Sequence, residues 1–201
     1  MNWDTIIVTI LTSNVVIAIL SLIRYFIERK HKDEKEKNIF SRALHEIHAV
    51  YDSMNHILEK TTASRVSIFK ITDSGAIPAV DIPLYSTVLY EVTNSPLEPL
   101  KDSIQHVRCE ADFVEVLKET SIKNVVGIET SRLKKGALKD IFETTGISFT
   151  ELYKISMWDD VFIVMSVEFV DKVELGAKYR NTMRLTLSQI KRLFENKDLV
   201  S

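Results

Sequence analysis

An uncharged apolar run near the amino terminus constrains this chain more than any other feature. The run covers residues 6–23, eighteen residues from Ile6 to Ile23, and basic residues follow it at once. Eighteen helical residues span about 27 Å, and extension to Ile27 gives about 33 Å, which is enough to cross the hydrocarbon core of a bilayer. We therefore expect residues 1–27 to form a single transmembrane anchor. A buried helix of a soluble protein is the alternative.

The charges on either side of the run predict how the anchor is oriented. Residues 1–4 contain no Lys or Arg, whereas Arg24, Arg29, Lys30 and Lys32 follow the run. The positive-inside rule then places the amino terminus outside and the rest of the chain in the cytoplasm. A cleaved signal peptide would show the opposite order, with basic residues before the run and a small-residue cleavage site after it. The sequence thus predicts a single-pass inner or plasma membrane protein.

Polar residues inside the run offer surfaces for association between two anchors. One helical face carries hydroxyl groups, those of Thr5, Thr9, Thr12 and Ser13, and another carries Asn14 and Ser21. An Asn within a membrane can hydrogen-bond to a second helix, with a gain of roughly 0.6 to 2 kcal/mol. We expect a homo-oligomer. The alternative is that the hydroxyl groups bond only to backbone carbonyls of their own helix.

The remaining sequence, about 170 residues, is long enough for one domain. We divide it into a charged juxtamembrane linker at 28–38, a globular domain at 39–196 and a tail at 197–201. The net charge of −2 gives no indication of a nucleic-acid partner, so the expected partners are the lipid bilayer, a second copy and another protein. Cys109 is the single cysteine, which excludes an internal disulfide and suits a reducing compartment.

Hydrophobic periodicity predicts the elements of the domain. Apolar residues recur at helical spacing in four stretches, 39–58, 97–119, 132–142 and 179–194. Strand patterns occupy 65–71, 84–92, 151–157 and 161–170, and the last two form a hairpin around 158–160. A short apolar segment lies at 125–128. An antiparallel sheet with the first and last helices packed on one face buries all of these stripes, which makes the fold α+β.

This order of elements resembles the GAF-type sensor fold, which belongs with the PAS-like sheets. The resemblance rests on strands 65–71 and 84–92, the hairpin 151–170 and the closing helix 179–194. It implies a non-catalytic regulatory or interaction domain whose pocket, between sheet and helices, binds a small ligand or a partner segment. The segment 24–58 would couple that binding to the paired anchors. A closed, partly polar cavity between sheet and helices would favour the sensor, whereas a solid apolar core would favour an interaction module.

A second resemblance concerns layout alone. One amino-terminal span, a helix and a strand-rich domain that closes on a helix are similar to the T-type holins of tailed phages. That resemblance implies a lysis or lysis-control membrane protein whose spans cluster through Asn14 and Ser21, with its globular domain outside the cytoplasm. The flanking charges of this chain predict the opposite side for the domain.

One helix face carries residue types that bind metals. His45, His48, Asp52 and His56 are spaced by three and four residues, and neutral imidazole and carboxylate both suit zinc. The simpler interpretation is a solvated face on which Asp52 pairs with a histidine. We expect no metal and no cofactor.

Three further groups were considered as sites, and ordinary structural roles explain each of them. They are Cys109 with His106, the adjacent carboxylates Asp159 and Asp160, and the basic residues Arg132, Lys134 and Lys135. The sequence contains no phosphate loop, paired-cysteine metal site, kinase or cyclase signature, or nucleophile elbow. We therefore expect no enzyme activity and no catalytic residue, and the ligand-binding residues cannot be assigned from the sequence.

Overall fold

The computed structural model describes two compact units of the chain, 1–46 and 47–201. Its described residues are 21, 24–26, 28–30, 41–73, 83–94, 97–158, 161–171 and 175–195. In the first unit every described residue is helical. The predicted anchor, apart from Ser21 and residues 24–26, and the predicted tail lie outside the described residues. No helix within the described part of the chain combines the length and the apolar character that a membrane crossing needs.

The second unit is built on an antiparallel sheet, as predicted. The strands in the described residues are β1 (Arg65–Asp73), β2 (Leu84–Thr93), β3 (Val107–Arg108), β4 (Val125–Glu129), β5 (Phe149–Trp158) and β6 (Val161–Phe169). The helices are α1 (41–60), which belongs to this unit from Ile47 onwards, α2 (Ala111–Lys123), α3 (Ala137–Thr144) and α4 (Ala177–Phe194). The sheet order is β3-β2-β1-β6-β5-β4, and every neighbouring pair is antiparallel. The fold class is therefore α+β.

One face of the sheet is covered by the first and last helices, in agreement with the sequence. Buried residues of α1, among them Met54 and Ile57, form one core cluster with Met183 and Ile190 of α4. The same cluster includes alternate residues of the central strands, such as Met165. The spacing of these helical residues by three, four or seven positions gives each helix one apolar stripe, and burial of that stripe holds the helix on the sheet.

The opposite face of the sheet is covered by α2 and α3. Leu117 of α2 and Phe142 of α3 belong to a second core cluster with the other set of alternate strand residues, such as Phe69 and Val164. Both faces of β1 and β6 are thus buried, which explains why β6 is nearly continuously apolar.

The prediction of a mostly helical segment at 97–119 was wrong in its first half. The helix there begins only at Ala111, and residues 97–106 form turns that lead into β3. The backbone N–H groups of Leu100 and Lys101 donate to the carboxylate of Glu91, each at 2.9 Å, which removes donors that a helix would use. His106 adopts a positive φ of 55°, which also interrupts helical geometry.

The short helix predicted at 132–142 is also shifted. Residues Thr130–Arg132 form one turn of 3₁₀ helix, and α3 begins at Ala137. The apolar segment before it is strand β4, an edge strand paired with β5. The hairpin of β5 and β6 has the predicted position, although its turn residues Asp159 and Asp160 lie outside the described residues.

Candidate functional site

A cavity of about 210 Å³ lies between the sheet and the layer formed by α2 and α3. Most of its wall is apolar. The apolar side chains come from the sheet, from α2 and α3 and from the segment before β3, and they include Phe69, Ile104, Phe113, Ile128, Leu138 and Phe142. The cavity is on the sheet face opposite to α1 and α4. The cavity is partly polar, as the sensor interpretation expects, but it is not closed: it opens to solvent beside the exposed residues Arg108 and Glu110.

Strand alternation places several polar side chains on the cavity face. Arg65 has the same parity along β1 as Phe69, and Ser166 and Glu168 have the same parity along β6 as Val164. The register sets Arg65 opposite Glu168. The sheet floor of the cavity is therefore apolar at its centre and polar at one end.

Arg65 and Glu168 form a buried ion pair on this floor. The guanidinium group of Arg65 donates from Nε and Nη2 to Oε2 of Glu168, at 2.8 and 2.5 Å, and from Nη1 to the carbonyl oxygen of Glu98 at 3.1 Å. Oε1 of Glu168 accepts a hydrogen bond from the hydroxyl of Ser166 at 3.0 Å. Burial raises the pKa of Glu168 above its ordinary value, and the positive charge of Arg65 opposes that increase.

A second carboxylate, that of Glu91, holds residues 97–106 beside the cavity through hydrogen bonds to their backbone. Its two oxygens accept the backbone N–H groups of Leu100 and Lys101, and Nε of Arg65 lies 3.9 Å from Oε1. The N–H of Val88 on β2 donates to the carbonyl of Ile104 at 3.0 Å. These bonds hold Leu100 and Ile104 in the cavity wall.

Two buried hydroxyl groups in the cavity wall have no hydrogen-bond partner among the described residues. They belong to Ser86 of β2, which is 5 % exposed, and Thr150 of β5, which is 1 % exposed. Ser67 of β1 is also buried and unpartnered, but it does not line the cavity. Ser86 and Thr150 therefore have hydrogen-bonding capacity that a molecule in the cavity could use.

The carboxylate of Asp112 joins the two helices above the cavity. Its Oδ2 accepts the N–H of Leu138 in the first turn of α3 at 2.9 Å, and its Oδ1 accepts the N–H of Phe113. At Gly136 a Cβ atom would lie 2.5 Å from Oδ2 of Asp112, so glycine is what permits this approach. Asp112 therefore supplies the N-terminal cap that α3 lacks in its own sequence.

A polar cluster on the other face of the sheet links β5 to α4. Oε2 of Glu151 accepts hydrogen bonds from the hydroxyls of Tyr153 and Tyr179, whose oxygens are 3.2 Å apart. Burial is the main cause that raises the pKa of both tyrosines, so both hydroxyls stay protonated and able to donate. Thr150, in the cavity wall, is the residue next to Glu151 in the chain. A shift of β5 at Thr150 would therefore also move Glu151. Because Glu151 accepts a hydrogen bond from Tyr179, the shift would change a contact with α4.

The histidine-rich face of α1 is exposed. His45, His48, Asp52 and His56 all face solvent, and Nδ1 of His48 lies 2.8 Å from Oδ2 of Asp52. Within the described residues, no three His, Cys, Asp or Glu side chains are arranged to hold a metal ion. The contact between His48 and Asp52 agrees with the simpler interpretation, a solvated face on which Asp52 pairs with a histidine.

The other candidates from the sequence lie apart from reactive partners. Cys109 lines the cavity, and burial, followed by the charge of Glu110, raises the pKa of its thiol to about 11. His106 is exposed and stacks on the ring of Tyr85. Arg132 pairs with Glu129 at 2.8 Å on the surface, and Lys134 and Lys135 are exposed.

Sequence reasoning missed the polar residues of the cavity, although a signal for them was present. Arg65 interrupts the apolar positions of β1 on the cavity face, and Ser166 and Glu168 interrupt the apolar run of β6. Polar residues at inward positions of a strand covered on both sides point to a buried network or a cavity.

Comparison with known proteins gives a match in structure only. Neither a protein family nor a curated protein matches the sequence. The GAF domain region of a protein from Geobacter sulfurreducens, predicted to be a membrane protein, is similar with a TM-score of 0.56 and 17% identity, over 79% of this chain and 98% of that one. The GAF domain of a two-component sensor histidine kinase from Bacillus halodurans has a TM-score of 0.55 and 7% identity, over 75% and 94%.

A third similar structure is that of a GAF domain/HD domain protein from Geobacter sulfurreducens, with a TM-score of 0.54 and 7% identity, over 76% of this chain and 93% of that one. Identities this low establish the fold alone. The domain of this chain has the GAF-like fold.

Proposed function

We propose that this chain is a membrane-anchored, non-catalytic regulatory module whose GAF-like domain binds a small molecule in the cavity between the sheet and α2–α3. The observation that carries this proposal is a mostly apolar cavity wall that includes two buried, unpartnered hydroxyls, those of Ser86 and Thr150. Such a pocket, mostly apolar with a few placed polar groups, is typical of ligand sites. An interaction module would have no need for it.

Binding in the cavity would be transmitted across the sheet to the helical layer. Thr150 faces the cavity, and its neighbour Glu151 accepts hydrogen bonds from Tyr153 and from Tyr179 of α4. A ligand that bonds to Thr150 would favour one position of β5, and with it one position of α4. A ligand shifts such an equilibrium only by the difference in its affinity for the two positions.

The membrane part of the proposal rests on the sequence. The apolar run 6–23 and the basic residues after it support an anchor at 1–27 with the domain in the cytoplasm. Asn14 and Ser21 support association between two anchors. The output would then be a change in self-association or in the binding of another protein.

The proposal is tested by recovery of small molecules from the full-length protein. The chain is purified in lipid nanodiscs and denatured, and the released molecules are identified by mass spectrometry. Ser86→Leu, which fills the cavity, should abolish recovery, whereas Ser188→Leu, the same change at an exposed position of α4, should not. Equal recovery from both variants would contradict the proposal.

A further inference from the structure

The outer side of α4 carries positive charge only. Five basic residues and no acidic residue occur between Ala177 and Phe194, although the whole chain has a net charge of −2. These five form what we call the basic face of α4, namely Lys178, Arg180, Arg184, Lys191 and Arg192. Lys191 is half-buried and the other four are exposed. The first acidic residue after the helix is its C-cap, Glu195.

The basic face lies on the side of α4 that is turned away from the core. At about 100° per residue, the five side chains fall within about 160° of arc, and Arg180, Arg184 and Lys191 fall within about 40°. The buried stripe of the helix, which includes Met183 and Ile190, occupies the opposite side. Long basic side chains on such an arc can reach one surface outside the protein.

The basic face is not neutralised from within the part of the chain that the structure describes. The ion pairs found there involve other residues, such as Lys123 with Glu119 on α2 and Lys139 with Glu143 on α3. Each of α1, α2 and α3 carries acidic as well as basic residues. The charge of α4 is therefore available to an external partner.

We propose that the basic face of α4 binds the surface of an anionic lipid bilayer. This inference goes beyond the proposed function, which needs an anchor and a cavity but no contact between the domain itself and lipid. Complementary charge supports it, because the cytoplasmic leaflet contains anionic lipids and attracts Lys and Arg close to its surface. The cytoplasmic side is also the side on which the charges around the apolar run place the domain.

The anchor proposed at 1–27 favours lipid over a soluble acidic partner. The linker 28–38 spans at most about 40 Å even when fully extended, so the domain would always stay near the bilayer. Tethering gives the basic face a high effective concentration at that surface. A contact too weak to recruit a free protein is then sufficient.

The contact is with lipid headgroups and does not require insertion of the helix. Helices that insert into the interface need a free apolar face, whereas the apolar side of α4 is buried in the core. Leu185 is the one large apolar side chain of α4 that is fully exposed, at 63 %, and it lies between Lys178 and Arg192 on the helical wheel. Binding should therefore be mainly electrostatic and screened by salt.

The test measures how close α4 comes to the headgroups in lipid nanodiscs. The full-length variant Cys109→Ala with Ser188→Cys is labelled with a fluorophore at its new cysteine, an exposed position of α4. The discs contain a lipid with a nitroxide on its headgroup, in phosphatidylcholine alone or mixed with phosphatidylserine. Quenching should be strong only with phosphatidylserine, and it should disappear at about 1 M salt, where the Debye length is about 3 Å.

The charge of α4 is tested by removal of three exposed arginines. Arg180→Gln with Arg184→Gln and Arg192→Gln should shift the docking equilibrium about 100-fold towards the free state, since each basic residue near an anionic surface contributes about fivefold. The matched control removes the same charge from exposed positions outside α4, and it should keep the quenching. Its substitutions are Lys101→Gln, Lys134→Gln and Lys135→Gln. Thermal unfolding checks that both triple variants are folded.

The outcomes separate this inference from the proposed function. Absence of quenching in discs with phosphatidylserine would overturn the inference, and so would an equal loss of quenching in the two triple variants. Recovery of the chain with discs of phosphatidylcholine alone tests the anchor independently. A chain recovered only with phosphatidylserine discs, and lost from them in the arginine variant, would contradict the anchor and still support the basic face.

Discussion

At the scale of single residues, Arg65 and Glu168 show how a charged pair is tolerated inside the sheet. Arg65 is 1 % exposed and Glu168 is 3 % exposed; three of the five guanidinium N–H groups of Arg65 donate to named acceptors, and both oxygens of Glu168 accept hydrogen bonds. Burial of two charges is costly, so such a pair adds little net stability, yet loss of one partner leaves the other charge uncompensated. The pair therefore makes the cavity floor sensitive to substitution.

Substitution of one member of this pair should be far more damaging than substitution of both. Arg65→Met should lower the free energy of unfolding by about 3–5 kcal/mol, because it leaves the carboxylate of Glu168 buried without its countercharge. The double variant Arg65→Met with Glu168→Leu should recover most of that loss. Urea unfolding measures both.

The control for this experiment is Arg132→Ala, which breaks the surface pair with Glu129. Both side chains of that pair are largely exposed, and the change should have little effect. A single variant at Arg65 that is as stable as Arg132→Ala would contradict the account of the buried pair.

Cys109 should be inert at neutral pH and should couple stability to alkaline pH. Its pKa is raised from 9.0 to about 11, so the folded state keeps the proton that the unfolded state loses in this window. The free energy of unfolding should therefore decrease as the pH rises from 9.0 towards about 11. Urea unfolding of the wild type and Cys109→Ala isolates the contribution from that of the tyrosines.

The alkylation rate gives a second measurement of the same thiol. Reaction of the folded protein with iodoacetamide should accelerate only as the pH approaches about 11. Rapid alkylation of the native protein at pH 8 would show a thiolate, and would restore Cys109 as a candidate nucleophile.

At the scale of elements, α3 depends on a residue outside itself. Gly136 has no side chain to cap the helix, and Asp112 of α2 accepts the N–H of Leu138 instead. Asp112→Ala should destabilise the protein by about 1 kcal/mol, the usual cost of a lost cap. It should also accelerate amide hydrogen exchange within Ala137–Thr144. Gly136→Ala should act in the same direction, because the added Cβ displaces Asp112.

Asp102→Ala is the matched control for the cap. Asp102 is exposed and has no hydrogen bond or ion pair among the described residues. If both aspartate variants change exchange in α3 equally, the cap has no special role in covering the cavity.

The helices and strands that could be predicted from the sequence are those with one regular apolar face that is buried in the core. The strands β1, β2, β5 and β6 and the helices α1 and α4 each have a regular apolar pattern that fixes their type. Residues 97–110 also have apolar positions, but their structure is decided by distant partners, the carboxylate of Glu91 and the edge of β2. A local sequence pattern cannot indicate contacts with residues that are distant in the chain.

From the sequence, a pocket between sheet and helices could be expected, but the residues that line it could not be named. It arises where α2 and α3 meet the sheet, and this depends on packing between segments far apart in the chain. Arg65 and Ser86 were visible as polar residues within predicted strands, whereas Thr150 lies just before the predicted strand 151–157. Their shared face became apparent only with the register, which places Arg65 opposite Glu168 and Glu168 opposite Thr150.

At the scale of the whole molecule, the orientation in the membrane separates the two resemblances. In the variant Cys109→Ala, a cysteine at the exposed position Ser188 reports on the domain, and one at Asn2 reports on the amino terminus. A membrane-impermeant maleimide should label Asn2→Cys in intact cells and label Ser188→Cys only after permeabilisation. Labelling of Ser188→Cys in intact cells would favour the holin-like arrangement.

The central claim, that a ligand in the cavity acts on the helical layer behind the sheet, is tested most directly by hydrogen exchange with mass spectrometry. The full-length protein in nanodiscs is measured with and without saturating benzamide, a singly substituted benzene small enough for the cavity of about 210 Å³. Exchange should slow in β2 and β5 and also in α4, which lies on the opposite face, and Glu151→Ala should remove only the effect on α4. Slower exchange confined to the cavity strands, α2 and α3 would contradict the claim.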